Sequence, residues 1–200
     1  KGVFEFVQAA APVAAGDPRL AFRFVGAPTR RSSDGPGSDD MRERLKKMIP
    51  AAVRPQFSFV DKIPRDDLGS EYAAAQFCVV PSRWDNLPNT CIEAMMCGRP
   101  VVCSDRGGMA ELVEDGVSGI IARPADHAGS LPQALRAALI RALGLPDDRV
   151  RAMGQAARER ALSFCNNGSI VTRHEEFHRE CLERVRRAVK NVPAPRIGVG

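Results

Sequence analysis

The sequence has few aromatic residues and no closely paired cysteines. Phenylalanine, tryptophan and tyrosine make up 6% of its 200 residues, and they do not alternate with basic residues as in proteins that bind single-stranded nucleic acids. The six cysteines include no C-x-x-C pair, and their spacing from the three histidines does not suit a zinc site. We therefore predict no nucleic-acid partner and no bound metal. Because four of the cysteines lie inside apolar runs, we also predict a reducing cytoplasm.

Long apolar runs are also missing. No run approaches the roughly 20 residues that a membrane-spanning helix needs, and no signal-peptide pattern is found. The net charge of +5 comes largely from arginines in the last third, as in the runs at 158–160 and 184–187. A solvated helix face explains such runs, and attraction to a membrane with an acidic or lipid-linked acceptor is the second interpretation. Any contact with a membrane surface is accordingly predicted to be peripheral.

The composition favours one globular domain. Hydrophobic residues make up 44% of the chain, enough for one sizeable core, and the charged residues, 26%, are spread along it. We predict a single domain over residues 1–190, with 165–190 as a C-terminal helix and 191–200 as a Pro/Gly tail. The run at 27–38 is rich in Gly, Ser and Pro and predicts a mobile loop.

Apolar residues recur in patterns that predict alternating helices and strands. The predicted strands cover residues 21–25, 56–60, 77–80, 100–104 and 119–122. The predicted helices cover residues 2–15, 39–49, 65–75, 88–97, 109–114, 131–143, 147–162 and 169–190, with Asp39 or Asp40 as a cap and Pro88 at a first helical position. Short apolar strands between helices imply a doubly wound, Rossmann-like α/β fold, whose parallel sheet is covered on both faces. Since such a domain begins with a strand, we expect its first strand upstream of Lys1.

The segment from Val80 to Val102 carries the residues suited to chemistry. A strand ends there, a loop holds Asp85, a helix begins near Pro88, and Glu93 lies on the second turn of that helix. Ligands of a parallel sheet bind at the carboxyl ends of its strands, and the free amides and dipole of a helix start suit a diphosphate. Glu93 is placed to accept hydrogen bonds from paired ribose hydroxyls, and Asp85 from another set of hydroxyls. Taken singly, Asp85 also fits a turn or cap residue, and Glu93 a solvent-facing helix acid.

The order of residues in this segment adds to the argument. An acid, seven residues, then Glu-Ala-Met, Gly and Pro-Val-Val, over 85–102, resembles the E-x7-E element of the retaining GT-B glycosyltransferases. Residues 104–119 resemble that family's glycine-pair loop, short helix and turn, and residues 1–2 and 59–63 resemble two further segments. The resemblance runs in order over about 1–124. It implies the C-terminal, nucleotide-sugar-binding half of a two-domain GT-B enzyme, without its first strand.

The resemblance also implies a role for each matching residue. Glu93 would hold the ribose hydroxyls, and Asp85 would contact the transferred sugar. The other expected donor contacts are the Lys1 side chain at the diphosphate, the Ile63 backbone at the base, the segment Asn86, Leu87, Asn89 and Thr90 at the sugar and diphosphate, and Gly107 and Gly108, which let the chain pass close to the donor. The substrate would be a nucleoside-diphosphate sugar, and no metal or other cofactor would be required.

Two departures from the family pattern limit these roles. Asp85 stands where glutamate is commoner, so its reach is shorter by about one methylene. The arginine that precedes the family's lysine lies outside this chain, as does the N-terminal acceptor domain, so we expect the chain alone to transfer no sugar. A GT-B-fold nucleotide-sugar epimerase is an alternative enzyme, although its acid and base are not identified. A non-catalytic nucleotide-binding module is the other alternative, against which the intact Asp85 and Glu93 argue.

Overall fold

A computed structural model describes residues 2–27, 40–124 and 130–190. The strands in these ranges are β1 (Phe22–Val25), β2 (Phe57–Val60), β3 (Cys78–Val80), β4 (Val101–Ser104) and β5 (Gly119–Ala122). The α-helices are α1 (Val3–Gly16), α2 (Met41–Met48), α3 (Leu68–Ala74), α4 (Asn89–Met96), α5 (Met109–Leu112), α6 (Leu131–Leu143), α7 (Asp147–Phe164) and α8 (Asn167–Lys190). Most of the predicted loop at 27–38 and the whole tail at 191–200 lie outside the described residues, as does Lys1.

Contacts within the chain separate two compact units, residues 1–162 and residues 163–200. The described part of the second unit is the end of α7 together with α8, whose apolar side chains Phe177, Leu182 and Val185 are exposed. No helix in the described ranges combines the length and the apolar character needed to cross a bilayer. The single domain predicted over residues 1–190 stays a prediction.

All five described strands pair in parallel, which confirms the predicted α/β fold class. They form two ladders: β1 pairs with β2, and β4 lies between β3 and β5. The sequence predicted a single parallel sheet, whereas no pairing joins the two ladders among the strands described here. The alternation of helices and strands favours parallel pairing, but it does not determine which strands become neighbours.

Helices cover both faces of the β3–β4–β5 ladder. Side chains alternate along a strand, and Val102, Ile120 and Ala122 share a hydrophobic core with α1 and α6. Val101, Cys103 and Ile121 point to the opposite face and are also buried, on the side where α4 and α5 contact β4. Burial of each large aliphatic side chain contributes about 1.5–3 kcal/mol. A strand buried on both faces reads as a continuous apolar run, which is why these strands are visible in the sequence.

The β1–β2 ladder is built on phenylalanines. Phe22 pairs with Phe57 and Phe24 with Phe59 across the ladder, and their rings stack with centroids 5.0 and 4.9 Å apart. Phe6 of α1 lies against Phe22 and Phe24. Two of the four paired positions of this ladder therefore contribute aromatic pairs, whose ring contacts add to the stability gained from the area that they bury.

Some of the helix boundaries predicted from the sequence agree with the structure, and others do not. The Asp40 carboxylate accepts a 3.0 Å hydrogen bond from the Glu43 amide and caps α2, as predicted. The prediction for Pro88 was wrong by one position: its extended backbone, with ψ at 127°, makes it the residue before α4. Residues Ala51–Gln56 form a 3₁₀ helix that the sequence did not predict. Residues Arg65–Asp67, the start of the helix predicted over 65–75, form a 3₁₀ turn that leads into α3. The short helix α5 ends at Leu112, because Val113 is extended and the next amide, that of Glu114, is bound by the Ser118 hydroxyl.

Candidate functional site

The parallel pairing of β3 and β4 brings the two loops that follow these strands to one edge of the ladder. The Ser104 hydroxyl donates to the carbonyl oxygen of Ser82. Further along, the Gly108 amide donates to the carbonyl oxygen of Asp85 at 3.1 Å. The predicted acid loop and the predicted glycine-pair loop are therefore joined by hydrogen bonds at the carboxyl edge of the strands.

Gly107 and Gly108 have no room for side chains. Gly107 has a left-handed backbone, with φ at 73°, and a Cβ atom there would overlap the carbonyl oxygen of Asp85. At Gly108 a Cβ atom would overlap the carbonyl oxygen of Asn86. The glycine pair thus lets the two loops approach each other. Its predicted role in letting the chain approach a donor stays a prediction.

At the start of α4, two amides have no hydrogen-bond partner among the described residues. Pro88 is buried, and none of the described side chains caps the helix. The first intrahelical hydrogen bond runs from the Cys91 amide to the Pro88 carbonyl at 2.9 Å, so the amides of Asn89 and Thr90 precede it. Both residues are exposed. Free amides at the positive end of a helix dipole favour an anion.

Glu93 lies on the second turn of α4 and is half-buried. One of its carboxylate oxygens, Oε2, accepts a 2.9 Å hydrogen bond from the hydroxyl of Tyr72 on α3. Burial, and then the Glu93 carboxylate, raise the pKa of Tyr72 well above its ordinary value of 10.0. The tyrosine therefore keeps its proton and acts as the donor of this bond. This pairing was not predicted from the sequence, in which Tyr72 is the only tyrosine.

Asp85 is half-buried in the loop between β3 and α4. Within the described parts of the chain, no side chain forms a hydrogen bond or an ion pair with its carboxylate. Its neighbour Trp84, the only tryptophan of the sequence, is 74% exposed, so its fluorescence can report on this loop. Ile63, the predicted base contact, is half-buried in the segment after β2, and Lys1 lies outside the described residues.

A second connection, between α1 and the loop after β3, was missed by the sequence analysis. The guanidinium of Arg83 pairs with the carboxylate of Glu5, which is buried on α1. Just before α1, Gly2 has φ at 75°, and a Cβ atom there would overlap the carbonyl oxygen of Pro81. The start of α1 is therefore held against the loop that leads to Asp85.

Metal chemistry was not expected from the sequence. Among the residues that the structure describes, no group of three or more His, Cys, Asp and Glu side chains could hold a metal ion. Burial raises the pKa of the Cys91 thiol to about 12 and also raises that of Cys103, so both thiols are protonated at neutral pH. The absence of a cofactor stays a prediction.

Residues 1–143 match the family described as Glycosyl transferases group 1. The chain is 34% identical over 142 residues to a D-inositol 3-phosphate glycosyltransferase from Geodermatophilus obscurus, a match that covers 68% of this chain and 30% of that protein. A similar enzyme from Catenulispora acidiphila is 32% identical over 146 residues, which cover 73% of this chain and 32% of that one. The matching region thus spans about a third of the length of these relatives.

Solved structures show the same fold. Sucrose-phosphate synthase from Thermosynechococcus elongatus superposes with a TM-score of 0.70 at 29% identity, over 92% of this chain and 43% of that one. The C-terminal domain of LpcC from Francisella tularensis superposes with a TM-score of 0.67 at 20% identity, over 82% of this chain and 79% of that domain. HepE from Anabaena, solved in complex with UDP, superposes with a TM-score of 0.63 at 22% identity, over 87% of this chain and 44% of that one. The fold is that of the C-terminal half of a GT-B glycosyltransferase, and the chain belongs to the glycosyl transferases group 1 family.

Proposed function

We propose that this chain is the donor-binding domain of a retaining glycosyltransferase, which takes its sugar from a nucleoside-diphosphate sugar. One observation carries the proposal: α4 begins without a side-chain cap at the carboxyl edge of the strands, between the loop acid Asp85 and the helix acid Glu93. An anion site flanked by two hydroxyl acceptors suits a diphosphate that has a sugar at each end. Membership of the family supports this function.

The diphosphate would lie at the start of α4. The amides of Asn89 and Thr90 and the helix dipole would stabilise the negative charge that develops on the departing nucleoside diphosphate. By the family resemblance, Lys1 would add a positive charge and Leu87 a further amide. Pro88 has no amide to offer. Because backbone amides and cations can stabilise this leaving group, the proposal needs no metal.

The two acids would hold the two sugars. Glu93 would accept hydrogen bonds from the ribose hydroxyls, whereas Asp85 would contact the sugar that is transferred. The retaining outcome rests on the resemblance of this pair to the E-x7-E element. The Ile63 backbone would border the base, Asn86 the sugar, and Gly107 and Gly108 would leave the donor space to approach.

The relatives illustrate the donor class without defining this chain's own donor. HepE was solved with UDP and also with UDP-glucose. The D-inositol 3-phosphate glycosyltransferases match this chain over about a third of their length, and that part is the one we propose for donor binding. The acceptor would therefore be selected by regions outside the match, and the chain alone would transfer no sugar.

Titration of the 200-residue chain with UDP, GDP and ADP tests the proposal. We expect at least one of these nucleotides to give saturable one-to-one binding by calorimetry, and to change the fluorescence of Trp84. The corresponding nucleoside monophosphate should bind more weakly, because it offers less charge to the start of α4. If none of the three nucleoside diphosphates binds, the proposed function is wrong.

Replacing Asp85 with asparagine should weaken the binding of the donor's sugar without affecting the binding of its nucleotide. The variant should bind UDP-glucose or GDP-mannose about 3- to 10-fold more weakly, since a charge-assisted hydrogen bond to a sugar hydroxyl becomes a neutral one. Binding of bare UDP or GDP should be unchanged, because the expected contact is with the sugar alone. Asp148→Asn, which alters an exposed acid at the start of α7, is the matched control. Equal losses for the nucleotide-sugar and the bare nucleotide would contradict the assignment.

A further inference from the structure

We propose that Tyr72 is a positioning residue of the donor site, whose hydroxyl holds the Glu93 carboxylate in the orientation that accepts the ribose hydroxyls. The inference rests on the proposed function. It concerns a residue to which neither the family resemblance nor the sequence pattern assigned a role, and it starts from the 2.9 Å bond between the Tyr72 hydroxyl and Oε2 of Glu93.

The bond leaves Glu93 capable of binding a diol. A carboxylate has two oxygens with about four acceptor positions, and one hydroxyl uses a single position. Oε1 and the second lone pair of Oε2 therefore stay available to two vicinal hydroxyls. Within the described ranges the hydroxyl of Tyr72 is the one group that hydrogen-bonds to this carboxylate. Without it, the glutamate side chain would keep rotational freedom that it must lose when ribose binds.

Tyr72 is suited to act as a fixed donor. Its ring is half-buried, and its raised pKa means that it offers its proton to Glu93 throughout the physiological pH range. The hydroxyl has one hydrogen, which points to the carboxylate, so Tyr72 does not compete with Glu93 for the ribose hydroxyl protons. It orders the carboxylate and does not itself need to contact the donor.

The helix that carries Tyr72 also forms a polar contact with β1. None of the residues of α3 is fully buried. In the described ranges, two side chains of α3 form hydrogen bonds with other α-helices or with strands: the Tyr72 hydroxyl donates to Glu93, and Glu71 accepts two hydrogen bonds, of 2.6 and 2.9 Å, from Arg23 on β1. The second connection does not involve Glu93. It therefore provides an internal control, because Glu71→Gln weakens the attachment of the same helix and leaves the Glu93 carboxylate bonded.

The test compares Tyr72→Phe with Glu71→Gln. Phenylalanine keeps the ring and removes the hydroxyl, so the fold should be retained. Calorimetry measures the affinities of the 200-residue chain for UDP, GDP and ADP, and for the 2′,3′-dideoxy form of each. We expect Tyr72→Phe to weaken binding of the ribose nucleotides by about 2- to 10-fold, the range of one hydrogen bond, and to leave the dideoxy forms unaffected. Glu71→Gln should leave the ratio of ribose to dideoxy affinity unchanged.

A double variant tests whether Tyr72 acts through Glu93. In a Glu93→Ala background, Tyr72→Phe should cause no further ribose-specific loss, because the side chain that it positions is absent. Equal losses for ribose and dideoxy nucleotides, or no loss at all, would overturn the positioning role. If that happens while Glu93→Gln alone still weakens ribose binding, the proposed function stands. If Glu93→Gln has no effect either, the ribose assignment of the proposed function fails as well.

Discussion

Replacing Glu93 with glutamine should weaken the binding of nucleoside diphosphates by about 10- to 100-fold. Hydrogen bonds to a charged group contribute about 1.5–3 kcal/mol each, and each 1.4 kcal/mol is a factor of ten in affinity. Glutamine keeps the shape of the side chain, but it replaces one acceptor oxygen with an NH₂ group, which cannot accept a hydroxyl hydrogen. The paired hydrogen bonds to a ribose diol are therefore lost in part, and those that remain are neutral.

Stability should change little in the same variant. Glu93 is half-buried, and the Tyr72 hydroxyl can still donate to the remaining amide oxygen. Calorimetric titration with UDP, GDP and ADP, together with melting temperatures, separates an effect on binding from an effect on folding. Asp148→Asn again serves as the control for a removed surface charge. If the variant binds nucleotides like the parent, or loses affinity only because it unfolds, Glu93 does not bind the ribose and is an ordinary acid on the surface of a helix.

The sequence predicted the fold class because strong local patterns agree with it. The runs at 101–104 and 119–122 are buried on both faces, so they appear in the sequence as continuous apolar stretches. Helix α6 begins and ends where its apolar period predicts, since Ser130 caps it and Gly144 ends it. The division of the strands into two ladders was not predictable, because it depends on packing between distant segments.

The site was predictable to the extent that its residues are close in the sequence. Asp85, the start of α4 and Glu93 follow one another along the chain, so their spacing carries information. The bond between Tyr72 and Glu93 joins residues 21 positions apart, and the pair of Glu5 and Arg83 joins residues 78 positions apart. No short sequence pattern predicts such contacts, because they depend on how distant segments of the chain pack together.

Gly107 and Gly108 have a packing role that the sequence did not predict. The family resemblance implied that Gly107 and Gly108 let a donor approach closely, whereas their missing side chains already make room for the backbone of Asp85 and Asn86. The absence of side chains in this loop can serve both its own packing and the space for a ligand. Because the packing is present without a ligand, substituting these glycines should lower the stability of the ligand-free chain.

Replacing Gly107 with valine should therefore lower the melting temperature by about 10 °C. A β-branched residue at φ 73° is strained by about 1–3 kcal/mol, and its Cβ atom would also overlap the carbonyl oxygen of Asp85. The combined cost is at least about 3 kcal/mol, and each 1 kcal/mol corresponds to about 2–4 °C in a chain of this size. Because the displaced loop carries Asp85, binding of UDP-glucose and GDP-mannose should also be lost at 25 °C, where the variant is still folded.

Substitutions at three other glycines distinguish the effect of backbone strain from the effect of crowding. Gly116 has φ at 79° and open space around it, so Gly116→Val measures backbone strain alone. Gly108 has a negative φ, at −73°, and its Cβ position is blocked by the carbonyl oxygen of Asn86, so Gly108→Val measures crowding alone. Gly69, on α3, has neither strain nor crowding and should accept valine with little change in melting temperature. The expected order places Gly107→Val as the least stable variant and Gly69→Val as the most stable, with the other two between them. If Gly107→Val melts like Gly69→Val, the two loops are not packed backbone to backbone, and the geometry assigned to the Asp85 loop is wrong.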